Sequence, residues 1–252
     1  MGNATGAVRA LDVLELLGRR GEPLPATTLA RELGLPRSTV YHLLTVLTER
    51  GYVTHLAEER RYGLGVAAYE LGSAYQRQAP LQRIARSILD RLADRTGHNA
   101  HLAVLHGRDV LYVIEQRAPS GPVLVTDVGV RLPATITATG LAMLAALPQA
   151  QVRALFPDAA SIVQRDGRGP AGPSALAREL RATRARGHAL EEDLVTPGLR
   201  SVAHAVLDRS GHPVAAVAVT YSTPVDDEGA LVAAVGEAAD ELARRLRGQA
   251  RR

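Results

Sequence analysis

The 252-residue chain contains no cysteine and no tryptophan, only one phenylalanine and two methionines, and no lysine, so all thirty basic side chains are arginine. Without cysteine there is no disulfide framework, no thiol nucleophile and no thiolate zinc or iron–sulfur site. Any metal would rest on histidine and carboxylate ligands. Without lysine there is no phosphate loop of the GxxxxGK type. No apolar run approaches the roughly 18 to 20 residues that span a bilayer, and Met1 to Gly6 carry no basic segment leading into an apolar one. The expectation is a soluble, cytoplasmic protein with no export signal and no membrane partner. Neither a GxSxG elbow nor an HExxH helix occurs. No catalytic residue, metal or cofactor is therefore expected, and the chain does not read as an enzyme.

What is present suffices for real cores: 46% of residues are hydrophobic and 22% charged, close to globular averages. The length suits one large domain or two unequal ones. Net charge is +4, with a pI near 9.8, a balance that invites a nucleic-acid reading. Its distribution does not follow that reading. Residues 1–75 hold eight arginines against eight carboxylates and are neutral, and the surplus lies beyond them, partly in Arg244, Arg245, Arg247, Arg251 and Arg252.

From Ala7 to Gly18, apolar residues fall at helical spacing (Ala7, Ala10, Leu11, Leu14, Leu17), and Gly18 is a candidate stop. After Gly21-Glu22-Pro23 comes a short helix, Leu29 to Leu33, closed by Gly34. Pro36 suits the start of a third helix, whose Val40, Leu43, Leu44 and Leu47 repeat at i, i+3, i+4, i+7 up to Gly51. Tyr52 to His55 and Arg61 to Leu64 flank the polar turn Ala57-Glu58-Glu59-Arg60 as a β-hairpin. Three helices with a tight Gly-containing turn, then a hairpin, make a winged helix-turn-helix, whose third helix enters a major groove about 12 Å wide. Candidate DNA contacts are Thr27 and Thr28 before the second helix, Arg37, Ser38, Thr39, Tyr41, His42 and Thr45 on the third, and Arg60 and Arg61 at the wing tip. The competing reading is a helical protein-interaction domain with a merely solvated polar face, which the neutral charge of this segment supports. Agreement among helix order, Gly34, Pro36 and the hairpin favours DNA.

Gly65 to Arg77 forms a linker helix ended by Pro80, and Leu81 to Thr96 another helix closed by Gly97. Short strands follow at His101–Leu105 and Val110–Ile114, with a third at Val123–Val125. A small-residue helix spans Ala138–Ala146 and a further helix Ser174–Arg186. Strands at Val202–Leu207 and Val214–Tyr221 precede a closing amphipathic helix, Leu231–Leu246. This order implies an α+β domain with an antiparallel sheet. Gly167-Arg168-Gly169-Pro170-Ala171-Gly172 spells GxGxxG, but only Ile162 and Val163 precede it as a strand, and Pro170 lacks the N–H that a phosphate cradle needs. His98, His101 and His106 alternate faces on a strand, so they read as satisfied or solvated histidines rather than metal ligands. Leu132 to Leu141 places hydroxyls and N–H groups at a helix start, which equally suits anion binding and simple capping by Thr137 and Thr139.

Several segments resemble the IclR type of bacterial transcriptional regulator over about residues 7–246. They are Ala7-Val8-Arg9-Ala10-Leu11-Asp12-Val13-Leu14, Leu33-Gly34-Leu35-Pro36-Arg37-Ser38-Thr39-Val40 with Leu43-Leu44, and Arg61-Tyr62-Gly63-Leu64-Gly65. Farther on come Gly97 with His101-Leu102-Ala103-Val104, Gly129 with Leu132-Pro133, Gly187-His188-Ala189, and Gly198-Leu199-Arg200-Ser201-Val202-Ala203. The resemblance implies a winged helix-turn-helix DNA-binding domain (1–64), a linker helix (65–79) and a GAF-like effector domain (80–252). It further implies a homodimer or dimer of dimers on palindromic double-stranded DNA, with operator binding modulated by a small organic or aromatic acid. The implied effector site uses backbone at Ala138 and Thr139 and side chains at Glu191, Leu199, Ser201, Ala218 and Thr220. This chain has His42 where the family often has arginine, Leu141 for lysine, Ser201 for cysteine, Leu194 for an acid, and Ala203-His204-Ala205-Val206 for AAPV. Two alternatives stay open: a ligand-independent repressor with a degenerate pocket, and a small-molecule enzyme or binding protein with a vestigial helix-turn-helix.

Overall fold

The computed structural model describes residues 2–78, 80–119, 121, 122 and 127–249. The chain divides into two compact units, Met1–Ala79 and Pro80–Arg252. The first holds α1 (Gly2–Arg20), α2 (Ala26–Leu33), α3 (Arg37–Glu49), the hairpin β1 (Val53–Leu56) and β2 (Arg61–Leu64), and α4 (Val66–Gln78). Its core gathers Val13, Leu16 and Leu17 of α1, Leu29 and Ala30 of α2, and Val40, Leu43, Leu44 and Leu47 of α3. That is the apolar stripe of each helix turned inward. Leu44 is fully enclosed, so its truncation to alanine costs about 2–5 kcal/mol.

Gly18 does not end α1. The helix continues to Arg20, and the left-handed residue is Gly21 (φ 67°), whose N–H returns to the Leu17 carbonyl. The second helix starts at Ala26, three residues earlier than apolar spacing indicates, because Pro25 pre-sets an extended N-cap. Gly34 takes the left-handed C-cap (φ 63°), and the Leu35 N–H bonds the Ala30 carbonyl at 3.0 Å. The hairpin pairs Val53 with Leu64, and Leu24 exchanges two backbone hydrogen bonds with Tyr62. The wing is thereby laced to the segment before α2. Gly65 is required for a different reason: a Cβ there would sit 2.2 Å from the Gly51 carbonyl oxygen, which accepts from Ala67 N–H. That close approach sets the start of α4.

The second unit holds α5 (Pro80–Thr96), β3 (Asn99–His106), β4 (Asp109–Gln116), β5 (Arg131–Pro133), α6 (Ala138–Ala146), α7 (Gln149–Leu155), α8 (Pro173–Arg186), β6 (Ala189–Glu192), β7 (Leu199–Leu207), β8 (Pro213–Ser222) and α9 (Glu228–Gln249). An antiparallel sheet of order β5-β4-β3-β8-β7-β6 separates two cores. On one face Val217, Val219 and Tyr221 of β8 pack with α5 and α9; on the other, Ala216 and Ala218 pack with α6 and α8. The alternation is the period-two signature of a strand buried on both sides. Pro80 opens α5 rather than merely ending the preceding helix, in keeping with the preference of proline for a first turn. The short elements β5, β6 and α7 carry too little periodicity to be read from sequence. The expected strand at Val123–Val125 lies outside the described residues. Ile162 and Val163 form no strand, and the GxGxxG segment is an irregular loop with a bridge between Arg165 and Arg168. Among the described residues no helix is long and apolar enough to cross a membrane.

Candidate DNA-binding surface and ligand cavity

Both helices of the helix-turn-helix begin on a proline that supplies no side-chain cap, Pro25 for α2 and Pro36 for α3, and neither has an acidic residue in its first turn. The first-turn N–H groups of α3 have no intrahelical partner and no capping carboxylate or hydroxyl. Such a terminus attracts phosphate through its donors and its dipole. Around it, Arg37, Ser38, Tyr41, His42 and Thr45 are exposed and Thr39 half-buried, while Thr27 is exposed and Thr28 half-buried at the start of α2. Thr27, Thr28, Arg31 and Arg37 line one shallow groove. Thr45 donates its hydroxyl proton to the Tyr41 carbonyl at 3.0 Å, so its methyl and both hydroxyl lone pairs remain for a partner.

At the wing the two arginines part company. Arg60 occupies the turn with φ 53° and is exposed. Arg61 does not join it at the tip: it opens β2, is half-buried, and donates to the Pro23 carbonyl at 3.2 Å. Stacking of His55 on Tyr62, with ring centroids 4.5 Å apart, stiffens the hairpin.

In the second unit a cavity of about 20 Å³, room for roughly a single water-sized group, is lined by His101, Tyr112, Thr137, Ala138, Thr139, Glu191, Val195, Thr196, Leu199, Ser201, Ala218 and Thr220. All seven residues expected of an effector site lie on its wall. The two readings of the α6 start separate here. Thr137 is the cap, its Oγ1 accepting from Gly140 N–H at 3.2 Å, whereas Thr139 Oγ1 is buried with no partner among the described residues. Gly140 permits the arrangement, since a Cβ would fall 2.2 Å from the Ala134 carbonyl oxygen. The Ser201 and Thr220 hydroxyls pair at 2.9 Å.

Glu191 is 4% exposed, and its Oε1 accepts from the Leu194 and Val195 N–H groups at 2.6 and 3.0 Å. Burial holds its carboxyl above the ordinary range, and those two amides offset only part of that rise. It ties down the strap 193–198, which is held further by Asp193 Oδ1 accepting from Gly198 N–H at 2.7 Å and by Arg165 donating to the Val195 carbonyl at 2.5 Å. Asp193 itself sits at φ 58°, and Arg168 faces it at 3.7 Å. The GxGxxG loop thus contributes its own Arg168, with Arg165 just before it, to the strap.

Sequence reasoning passed over His101, Tyr112, Val195 and Thr196. His101 is neither satisfied nor solvated: both ring nitrogens are buried without a partner among the described residues. Its strand parity, shared with Ala103 and pointing to the α6 side, was the available signal. Burial, with the Arg117 charge, depresses its imidazole to about 4, and burial pushes the Tyr112 phenol up to about 12. Leu141, at the family's lysine position, is buried in the α6 core. Among the described residues no three His, Asp or Glu side chains are grouped to hold a metal.

A winged helix-turn-helix followed by an α+β unit with a polar internal cavity is the build of a DNA-binding transcriptional regulator. The chain belongs to the IclR family: the model of the bacterial transcriptional regulator IclR C-terminal domain matches residues 73–245 and that of the IclR helix-turn-helix domain residues 6–57. It is 32% identical over 249 residues to the glycerol operon regulatory protein of Streptomyces coelicolor, covering 97% of each chain. Its fold matches a transcriptional regulator from Alicyclobacillus acidocaldarius, at 24% identity and a TM-score of 0.82, over 97% of this chain and 98% of the other. An IclR homologue from Microbacterium hydrocarbonoxydans, crystallised with 4-hydroxybenzoate, matches at 23% identity and a TM-score of 0.79, over 96% of this chain and 99% of the other.

Proposed function

We propose that this regulator binds a palindromic operator as a homodimer, or a dimer of dimers, and that a small organic acid in the cavity of the second unit changes that binding. The observation that carries the reading is the pairing, in one chain, of an uncapped α3 terminus ringed by exposed Arg37, Ser38, Tyr41 and His42 with an enclosed polar cavity at the α6 terminus. In this reading residues 1–64 contact DNA, α4 within residues 65–79 transmits the change, and residues 80–252 sense the ligand. Thr27, Thr28, Ser38, Thr39 and Arg60 hold backbone phosphates, and Arg37, Tyr41, His42 and Thr45 face the groove. Arg61 serves by bracing the wing. Ala138, Thr139, Glu191, Leu199, Ser201, Ala218 and Thr220 form the ligand site. The working compartment is the cytoplasm, where the operator is.

Dimerisation supplies what a neutral DNA-binding unit lacks, since two heads on one duplex double the phosphate contacts. The exposed apolar side chains Val8 and Leu11 on α1, and Val66, Tyr69 and Leu71 on α4, the tyrosine 76% exposed, support a surface for a second copy. Fluorescence anisotropy on the DNA upstream of its own gene tests the whole reading. Expected are salt-dependent binding to a two-fold-related site, and a midpoint that moves when carboxylic acids are added. Absence of sequence-specific binding at low salt would refute it. Leu11→Glu is expected to lower the sedimenting mass and the operator affinity together.

A further inference from the structure

One titratable ring on the cavity wall has nothing in the described protein to bond. His101, in β3, is 1% exposed, and neither Nδ1 nor Nε2 has a partner. A neutral imidazole has one N–H to donate and one lone pair to fill, and an imidazolium has two N–H groups to donate. Thr139 Oγ1, on the same wall, is also unpaired. The ring is held in place: Tyr112 meets it edge-on with centroids 5.8 Å apart, and Ala218 lies opposite in the β8 register.

The charged neighbours are few. From β4 come the Tyr112 phenol and Glu115, which stands opposite His101 in register and is paired to Arg117 at 2.9 Å. From β6 comes Glu191. The residues that β7, β8 and α6 bring to the wall are not ionisable in the working range: hydroxyls of Ser201, Thr220, Thr137 and Thr139 and the apolar Leu199, Ala218 and Ala138. The wall therefore carries one carboxyl group and no arginine, and the chain has no lysine to add. A carboxylate seated at the α6 terminus meets the partial positive charge of the Ala138 and Thr139 N–H groups but also the Glu191 carboxylate, and it lacks a counter-charge. Glu191 is the competing acceptor, since burial holds its carboxyl above the ordinary range, but its Oε1 already accepts two amides that favour the ionised form. His101 has no hydrogen bond to lose.

We infer that the cavity, whose volume of about 20 Å³ fits only the carboxylate head and which must widen to admit the rest of a ligand, takes a small monocarboxylate anion together with one proton, which settles on the His101 ring so that an imidazolium N–H donates to the ligand carboxylate. This rests on the ligand-responsive function proposed above and adds the charge of the ligand and the residue that positions it. The proton comes from solvent, no bond to carbon forms or breaks, and ligand and ring leave the site neutral as a pair. The depressed ring, at about 4, supplies the capacity for uptake, since it is neutral before the ligand arrives.

Isothermal titration of the full chain with pyruvate, benzoate and 4-hydroxybenzoate, and with neutral benzamide, in buffers of different ionisation heat at pH 6.5, counts protons directly. Expected is uptake of about one proton with the acid that binds, and a Kd that weakens by up to about tenfold per pH unit from pH 5.5 upward. His101→Gln and His101→Asn, checked for a native melting transition, should bring the uptake to near zero; Glu191→Gln, whatever its affinity, should retain it. If neither histidine variant folds, the buffer series on the unaltered chain decides, together with NMR titration of the His101 C2 proton with and without benzoate. Binding of an acid with no proton uptake, uptake that persists without His101, or benzamide binding as tightly as benzoate overturns the inference and leaves the ligand-responsive function standing. If none of the four compounds binds at any pH, that function falls and the inference with it.

Discussion

In the function proposed above, the starts of α3 and α6 are two solutions to one problem, a helix terminus that meets an anion. At α3 the N-cap is Pro36, no side chain caps the turn, and the surrounding residues are exposed. At α6 the N-cap is Thr137, which consumes the Gly140 N–H, and every residue from Ala138 to Ala145 is buried. The difference matches the size of what each end meets. A duplex is approached from solvent, where loose donors are hydrated and cost nothing to leave open. A cavity must satisfy what it buries: one donor is capped, and the groups unpaired among the described residues, on Thr139 and His101, are where the proposed ligand would bond.

The strongest way to break the buried member of the pair is Gly140→Ala. The new Cβ would meet the Ala134 carbonyl oxygen at 2.2 Å, with its backbone close behind. The expected loss is about 3 kcal/mol or more, seen as a melting transition of the second unit lowered by many degrees. An alanine variant that melts with the parent would show that the approach of the 134 loop to α6 is not tight.

His101 gives the next largest effect, through acid. Its folded value lies near 4, against 6.5 for an unconstrained imidazole. The unfolded chain therefore binds the proton first, and stability is full above about pH 6.5 and falls as pH drops toward 4. Over that window the group removes about 3 kcal/mol at 1.36 kcal/mol per unit. Urea unfolding from pH 7 to 4 should therefore show a shallower loss for His101→Gln than for the parent. Parallel pH profiles would contradict a ring held neutral.

How far the two termini were legible in the sequence follows from what each depends on. The α3 surface is local: Gly34, Pro36 and the i, i+3, i+4 stripe of Val40, Leu43, Leu44 and Leu47 specify both the helix and its outward face. Arg61 turns away from the wing tip because its partner, the Pro23 carbonyl, is 38 residues away. The cavity is assembled from β3, β4, α6, β6, the strap, β7 and β8, and no local pattern brings His101 to Glu191. Family resemblance supplied Glu191, Leu199, Ser201, Ala218 and Thr220 as wall positions, but not that Glu191 spends its Oε1 on the strap. Gly65 and Gly140 were likewise opaque, since each is demanded by a carbonyl of another segment rather than by its own dihedral angles.

On the exposed member, Arg37→Ala should weaken operator binding by about 2 kcal/mol, roughly thirtyfold, if the guanidinium reads a base, with discrimination among operator variants reduced. A phosphate contact would instead weaken all sequences alike and lower the salt slope by about one. Unchanged affinity and slope would remove Arg37 from the interface.

The smallest effect tests the comparison itself. Pro36→Ser converts the α3 terminus to the α6 type, because a serine at the same extended angles (φ −57°, ψ 142°) can accept from the N–H two or three residues on. The cap contributes about 1 kcal/mol, and losing the rigid proline costs about as much through the unfolded chain. Thermal stability should then stay within about 0.5 kcal/mol of the parent. Operator affinity should nonetheless fall a few-fold, because one phosphate-seeking donor is now occupied by its own chain. Thr137→Ala is the converse, a loss of about 1 kcal/mol in stability with no direct effect on DNA contacts. Should Pro36→Ser bind its operator as tightly as the parent at every salt concentration, the open donors of α3 would not be what the phosphates meet.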